Sequence, residues 1–231
     1  EKIVITMADA ASQAGVAIVT GDTKVVEKGK ADGGFINTTG IGVVEDERLN
    51  FSADRVAVGD KILVSGYLGD HGVAIMAERE AFDFKSSITT DSAALHKLVA
   101  DMVAVAPEIH CLRDPTRGGL SAIVHEIARA SGGGIRLWEQ HIPVREEVRS
   151  TCEFLGIDPL YIANEGKLVC FCPAEKADEL LAVMQRNPLG ADAAIIGEVV
   201  EDEDSNVALE TEFGSTRMLH YLMGEPLPRI C

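Results

Sequence analysis

Four short stretches of this sequence place acidic, basic and glycine residues together at predicted turns. The first is DPTRGG, from Asp114 to Gly119, which joins a predicted strand to a predicted helix. Asp114 is suited to cap that helix, and the free N–H groups at a helix start favour phosphate. Arg117 adds a cation, Gly118 and Gly119 let a ligand approach the backbone, and Asp114 could instead hold Mg²⁺ beside a phosphate. A capped helix start that merely packs closely explains the stretch equally well.

The other three stretches are GDTK, NEGK and GDHG. The candidate residues are Asp22 and Lys24 in GDTK, Glu165 in NEGK and His71 in GDHG. Plain turns explain GDTK and NEGK, and a capping or packing role explains His71. The functional interpretation puts an acid and a lysine where a strand end meets a pocket. None of the stretches is specific alone, but together they give the Gly- and Asp-rich strand-to-helix turns typical of a phosphate-handling enzyme. No P-loop, GxGxxG, HExxH or GxSxG pattern occurs, so those chemistries have no support.

The last seven residues read EPLPRIC, and the final one, Cys231, is a thiol. Termini fray and an exposed thiol oxidises, so Cys231 is either an accident of the terminus or a working part. Fully extended, residues 224–231 would span up to about 26 Å. Pro226 and Pro228 stiffen this segment, and Arg229 lies two residues before its end.

Composition places the chain among ordinary globular proteins. It has 231 residues, of which 46% are hydrophobic and 25% charged, enough for one large domain or two small ones. No run of about 18 apolar residues and no signal-peptide pattern is visible. The net charge of −16 disfavours nucleic acid and anionic membranes as partners. The five cysteines lack a CxxC spacing, which predicts a reducing, cytoplasmic protein, with Cys170 and Cys172 in the core rather than on a metal.

Apolar spacing predicts strands alternating with helices, and therefore an α+β or mixed α/β layer protein. Helices are expected at residues 3–14, 73–80, 90–106, at the stretch that follows DPTRGG, and at 145–156 and 174–187. Thr90 or Asp91 is expected to cap the third of these helices. Strands are expected around residues 16–26 (strand, turn, strand), 33–44, 60–66, 110–114, 135–139, 168–173, 191–201 and 205–211.

Six motifs occur in a fixed order along the chain: VTGDTKVV, GFINTTGIG, LVSGYLGDHG, LRDPTRGGL, ANEGKLV and the terminal PRIC. This set closely resembles the hydrogenase expression/formation family HypE, from Glu1 to Cys231. The family belongs with aminoimidazole ribonucleotide synthetase, selenophosphate synthetase and thiamine monophosphate kinase. PRIC is the most specific motif, because the wider superfamily lacks it.

The resemblance implies a PurM-like two-domain architecture. Residues 1–57 would be the end of the N-terminal, nucleotide-binding and dimerising domain plus a linker. Residues 58–223 would form a complete C-terminal α/β domain, and 224–231 a flexible tail ending in the substrate cysteine. Relatives carry roughly a hundred further residues before the position of Glu1, with most of the Mg-binding aspartates and strands of the homodimer. The resemblance therefore predicts that this chain is inactive or weakly active alone, with an open apolar face that favours association.

The resemblance also implies a reaction. In this family the C-terminal cysteine is itself the substrate, and a carbamoyltransferase, HypF, places a carbamoyl group on its sulfur. ATP, with Mg²⁺, then drives dehydration of the thiocarbamate to a thiocyanate. The cyanide passes to iron on a HypC–HypD scaffold and becomes a ligand of the [NiFe]-hydrogenase site. Phosphorylating the amide oxygen makes it a leaving group, and a base must take the N–H protons.

Family roles carry over to matching positions. Lys24 and Glu165 are the expected proton-handling pair near the docked Cys231. Asp114 is the expected Mg–phosphate residue, and Asp22, Arg117, Gly118 and Gly119 are expected to contact the nucleotide.

Two other classes of function remain open from the residues. One is a different ATP-using enzyme of the superfamily, such as a small-molecule kinase, although such enzymes need no carrier tail. The other is a non-catalytic docking module that presents Cys231 to partners. Binding of ATP separates the dehydratase from the module.

Overall fold

A computed structural model of the chain describes residues 2–31, 33–44, 46–78 and 87–221. The chain divides into two compact units, Glu1–Glu47 and Arg48–Cys231. The first unit contains one helix, α1 (Lys2–Ala14), as the apolar spacing predicted. None of the helices in the described ranges is long and apolar enough to cross a membrane.

The strands predicted at 16–26 and 33–44 are not formed in the described part of the first unit, and this prediction was wrong. Their apolar residues are exposed instead, with Val19 at 88% and Ile41 at 97% exposure. The physical reason is that a strand is defined by hydrogen bonds to a neighbouring strand. A sequence with alternating apolar residues therefore forms a β-strand only when a partner strand is present to bond with it.

The second unit is built on one seven-stranded sheet. Its strands are β1 (Lys61–Val64), β2 (Cys111–Arg113), β3 (Gly134–Trp138), β4 (Val169–Cys172), β5 (Ala194–Val200), β6 (Val207–Glu210) and β7 (Thr216–Met218). Their order across the sheet is β2-β4-β1-β5-β3-β6-β7, so five of the six neighbouring pairs join strands that are not consecutive in the chain. All pairs are antiparallel except β3 with β6. The short edge strand β7 was not predicted, because all three of its residues are exposed and show no apolar alternation.

In the described part of this unit, five helices accompany the sheet: α2 (Asp70–Glu78), α3 (His96–Val105), α4 (Gly119–Ser131), α5 (Glu146–Leu155) and α6 (Ala174–Arg186). Apolar residues of α4 pack on one face of the sheet, and those of α3 and α6 pack on the other. Alternation along β4 divides its residues between these two cores, with Phe171 on the α4 side and Cys170 and Cys172 on the opposite side. The predicted core role of these two cysteines and the mixed α/β layer fold are confirmed.

Two predicted helix caps were wrong. The helix expected at 90–106 begins only at His96, and its N-cap, Leu95, makes no side-chain bond. Asp91 lies before the helix, and its carboxylate contacts Glu165 and Lys167, far away in the sequence, instead of capping the helix. The helix after DPTRGG begins at Gly119 with Gly118, at φ +68°, as N-cap, while Asp114 accepts a hydrogen bond from the hydroxyl of Thr116. Residues 79–80 of the expected second helix lie outside the described residues.

Candidate active site at three joined turns

One buried side chain, Asn164, joins three of the predicted turns. Its Oδ1 accepts a hydrogen bond from the backbone N–H of Gly69 in GDHG at 2.7 Å. Its own backbone N–H donates to the carbonyl of Pro115 in DPTRGG at 3.1 Å. Its Nδ2 donates to the carbonyl of Ile162 at 2.9 Å. Since Asn164 is fully buried, these bonds hold GDHG, DPTRGG and NEGK at one place.

Two glycines allow these segments to approach one another. Gly119 has φ +61°, and a Cβ there would lie 2.6 Å from the carbonyl oxygens of Leu160 and Ile162. At Gly166 the place of a Cβ is occupied by the backbone carbonyl of Asp91. The start of α4, the NEGK turn and the segment before α3 are therefore in direct backbone contact, which only glycine permits.

Asp91 is a buried carboxylate at the centre of this contact, with its side chain only 2% exposed. Its Oδ1 accepts the backbone N–H of Glu165 at 3.0 Å and lies 3.9 Å from His71 Nδ1. Its Oδ2 lies 3.3 Å from the ammonium of Lys167. His71 Nδ1 is also 2.8 Å from the hydroxyl of Thr90. The sequence carried no signal for this arrangement, because Asp91 and Glu165 are 74 positions apart.

Four buried side-chain atoms in the described residues have no hydrogen-bond partner: Asp70 Oδ1, His71 Nε2, Asp91 Oδ2 and Glu165 Oε1. Buried polar atoms are nearly always paired. All four belong to the GDHG turn, the NEGK turn or Asp91, which contacts both. Unpaired donors and acceptors concentrated in this way mark a site arranged to receive a further polar group.

Electrostatics at Glu165 are suited to proton transfer. Burial raises the pKa of its carboxyl above the ordinary value, and the negative charges of Asp91 and Asp114 raise it further, against the opposing effects of His71 and Arg117. A raised pKa makes the Glu165 carboxylate a stronger base than an ordinary glutamate, which suits it to accept a proton. The pKa of Asp70 is raised as well, chiefly by burial, although Arg145 Nε lies 3.1 Å from its carboxylate.

The sequence-predicted site residues fall into three groups. Glu165 and His71 meet at the joined turns, and Asp114 and Arg117 are close enough to act on the charge of Glu165. Asp22 and Lys24 lie in the first unit and are exposed there, with Asp22 Oδ1 accepting the N–H of Thr23. Cys231 lies outside the described residues.

The described chain leaves this region along a defined path. The backbone N–H of Leu219 donates to Val207 at 2.8 Å, and the hydroxyl of Tyr161 donates to the carbonyl of His220 at 2.8 Å. The guanidinium of Arg129 on α4 lies 4.8 Å from the ring centroid of Tyr221. Residues 219–221 are thus held against α4 and against the turn that directly precedes NEGK.

Fold and turns together define an AIR-synthase-related domain, and residues 57–210 match the family described as AIR synthase related protein, C-terminal domain. The chain is 59% identical over 230 residues to carbamoyl dehydratase HypE of Azotobacter vinelandii, an alignment that covers 100% of this chain and 67% of that protein. The chain therefore belongs to the carbamoyl dehydratase HypE family of hydrogenase maturation proteins, which confirms the resemblance seen in its motifs. It spans about two thirds of the length of the curated relatives it matches.

Two solved structures of HypE proteins support this family assignment. A crystal structure of the hydrogenase maturation protein HypE in complex with ATP matches with a TM-score of 0.93 and 46% identity, covering 100% of this chain and 70% of that one. The structure of a HypE–HypF complex matches with a TM-score of 0.87 and 43% identity, covering 95% of this chain and 71% of that one. A separate small-molecule kinase or selenophosphate synthetase is accordingly not favoured.

Proposed function

We propose that this chain takes part in ATP-dependent dehydration of an S-carbamoyl group on Cys231 to a thiocyanate, the source of cyanide for the iron of [NiFe]-hydrogenase. The observation that carries the proposal is the half-buried Glu165 carboxyl, with a buried, unpaired Oε1 and a raised pKa, at the turns joined by Asn164. The type of reaction, dehydration of a carbamoyl group, is proposed because the chain belongs to the carbamoyl dehydratase HypE family.

The reaction balances as follows. The thiocarbamate oxygen attacks the γ-phosphorus of ATP, and ADP leaves. The C–O bond then breaks to release phosphate as the two N–H protons are removed and the C≡N bond forms. Glu165 and Lys24 are proposed as the pair that handles these protons, with the Glu165 carboxylate as the base. Phosphoryl transfer itself needs little beyond positioning and charge stabilisation.

The start of α4 is the proposed seat for phosphate. The first N–H groups of this 13-residue helix have no partner within the helix, and the positive end of its dipole lies there. Arg117 and Gly118 are exposed at this end, and Gly119 packs against the carbonyls of Leu160 and Ile162. Gly118 and Gly119 are proposed to contact the nucleotide, and Arg117 adds a positive charge. Asp22 is proposed to contact the nucleotide from the first unit.

Asp114 is the proposed ligand for Mg²⁺. It is an exposed carboxylate with one oxygen engaged by Thr116. No cluster of three or more His, Cys, Asp or Glu set for a metal occurs in the described ranges. This single carboxylate therefore fits a magnesium ion that is shared with nucleotide phosphates, not an all-protein cage. Bound there, Mg²⁺ would neutralise charge on the phosphates.

The C-terminal arm is long enough to serve Glu165 of its own chain. Residues 222–231 can extend at most about 36 Å. Just before this segment, the carbonyl of His220 accepts a hydrogen bond from the hydroxyl of Tyr161. Glu165 is four residues after Tyr161, so the Cα atoms of these two residues are at most about 15 Å apart.

HypF is the proposed carbamoyl donor, since a HypE relative forms a complex with HypF. We further propose HypC–HypD as cyanide acceptor. We also propose homodimer formation through the first unit, whose described apolar residues are largely exposed. The cytoplasm is the proposed location, because Cys231 must remain a free thiol to be carbamoylated.

The decisive experiment incubates the chain with HypF, carbamoyl phosphate and ATP, and measures the mass of the C-terminal peptide. We expect a carbamoyl adduct on Cys231 that loses water only with ATP, at a low rate in this chain alone. Lys24→Ala and Glu165→Ala should keep the adduct and lose the dehydration, and Cys231→Ala should form no adduct. An adduct that persists in a chain that fails to bind ATP would instead identify a docking module.

A further inference from the structure

Asp91 connects the proposed base to two other elements. Its Oδ1 accepts the N–H of Glu165, its Oδ2 forms an ion pair with Lys167 at 3.3 Å, and it lies beside His71 at the start of α2. Removing the Asp91 carboxylate from water, to 2% exposure, costs desolvation energy. The attraction of an ion pair often does no more than offset that cost, so such a pair adds little net stability. A charge kept there, beside a carboxyl that itself lacks a partner, is better explained by function than by stability.

We propose that Asp91 and His71 are positioning residues for Glu165. Asp91 holds the backbone on which Glu165 stands, and His71 Nδ1 lies 3.9 Å from the Asp91 carboxylate at the start of α2. The proposal rests on the role of Glu165 in the proposed dehydration and adds two residues to it. Neither needs to touch the thiocarbamate.

The charges around Glu165 come from three elements, and their signs can be separated. Asp91, from the segment before α3, and Asp114, from the turn before α4, both raise the pKa of Glu165. His71 from α2 and Arg117 from the turn before α4 lower it, and burial raises it most of all. Neutralising Asp91 should therefore lower the pKa of Glu165, and removing the imidazole of His71 should raise it.

The first test uses ¹³C NMR to titrate the Glu165 side-chain carboxyl in the intact chain, with the signal assigned through Glu165→Gln. Asp91→Asn keeps the shape of the side chain and removes its charge, and should move the midpoint to lower pH. His71→Gln should move the midpoint to higher pH. Asp101→Asn, which removes a surface carboxylate that pairs with Asn187, should leave it in place. Midpoints that stay fixed, or that move in the same direction in both variants, would overturn the proposal.

Amide exchange tests the backbone contact. In Asp91→Ala the N–H of Glu165 loses a charged acceptor, so its exchange should accelerate roughly tenfold or more. In Asp91→Asn an amide oxygen still accepts, and most protection should remain. Unchanged exchange in Asp91→Ala would remove Asp91 from the positioning of Glu165. His71→Gln leaves the contacts of Asp91 with Glu165 and Lys167 in place, so it keeps the charge test available if Asp91 variants fold poorly.

The pH profile of dehydration links the pair to the reaction. The acid limb should move to lower pH in Asp91→Asn and to higher pH in His71→Gln, as for the titration of Glu165. If the unsubstituted chain forms no thiocyanate, the proposed function fails, and the NMR results still decide the positioning role. If the unsubstituted chain reacts and both variants keep its profile, only the positioning role fails.

Discussion

The carboxamide oxygen of Asn164 lies 2.7 Å from the backbone nitrogen of Gly69, across 95 positions of sequence. Together with the bonds of Asn164 to Pro115 and Ile162, this contact brings three glycine-containing turns to one place. The residues with candidate chemistry, Glu165 among them, stand on or beside those turns. Asn164 itself is buried, so its contribution is structural, and it should be measurable as stability.

Replacing Asn164 with alanine should lower the free energy of unfolding by about 2 kcal/mol, because the buried N–H of Gly69 would lose its acceptor. Urea denaturation followed by circular dichroism measures this loss. Asn50→Ala changes an exposed asparagine and should stay within about 0.5 kcal/mol of the unsubstituted chain. Equal losses for the two variants would show that the turns do not depend on Asn164.

Gly119→Ala should be strongly destabilising. A Cβ there would clash with two backbone carbonyls, and alanine at φ +61° adds about 1–2 kcal/mol of strain. Gly132→Ala is the matched control, since Gly132 has φ +74° but open space around it. Thermal unfolding should show a clearly larger decrease for Gly119→Ala. Similar decreases would mean that strain alone matters and that the α4 start is not tightly packed.

Glu165→Gln should stabilise the fold near neutral pH while it stops dehydration. The folded-state pKa of Glu165 is raised above its ordinary value of 4.5, so the folded chain holds this proton more tightly than the unfolded chain. Its contribution to stability is therefore greatest below that ordinary value and falls as the pH rises through the folded-state pKa. Melting temperatures between pH 4 and pH 8 should decline less steeply in Glu165→Gln.

Some decline should remain in Glu165→Gln, because the pKa of Asp70 is raised in the same direction. Glu203→Gln, on an exposed loop, should leave the pH dependence of melting unchanged. A melting temperature that falls in Glu165→Gln at neutral pH would contradict the raised pKa.

Alkylation should distinguish Cys231 from the other thiols. Burial raises the pKa of Cys111 to about 11 and that of Cys152 to about 12, and it contributes to a pKa of Cys170 well above its ordinary value. At pH 8 the thiolate fractions of Cys111 and Cys152 are then about 10⁻³ and 10⁻⁴. Iodoacetamide followed by peptide mass mapping should modify Cys231 first. Early modification of Cys152 would show that its site opens readily.

Much of the second unit was predictable, because burial patterns repeat with the period of each element. The amphipathic helices α5 and α6, the buried strand β4 and the core position of Cys170 and Cys172 followed from spacing alone. The strands expected in the first unit were mispredicted for a related reason, although its helix α1 was predicted correctly. Val19 and Ile41 carry the pattern of a half-buried sheet, but strands need neighbours to pair with, and spacing does not say whether those are present.

By itself, the sequence determined the family, through six ordered motifs that end in PRIC, and the α/β layering, through apolar periodicity. It also determined that Asp114, Glu165 and His71 belong to turns where chemistry is possible. Tertiary structure alone decided that Asp91 contacts Glu165, His71 and Lys167 instead of capping a helix. A helix cap is a local contact that sequence order reveals, whereas contacts across 74 positions depend on how the sheet brings distant turns together.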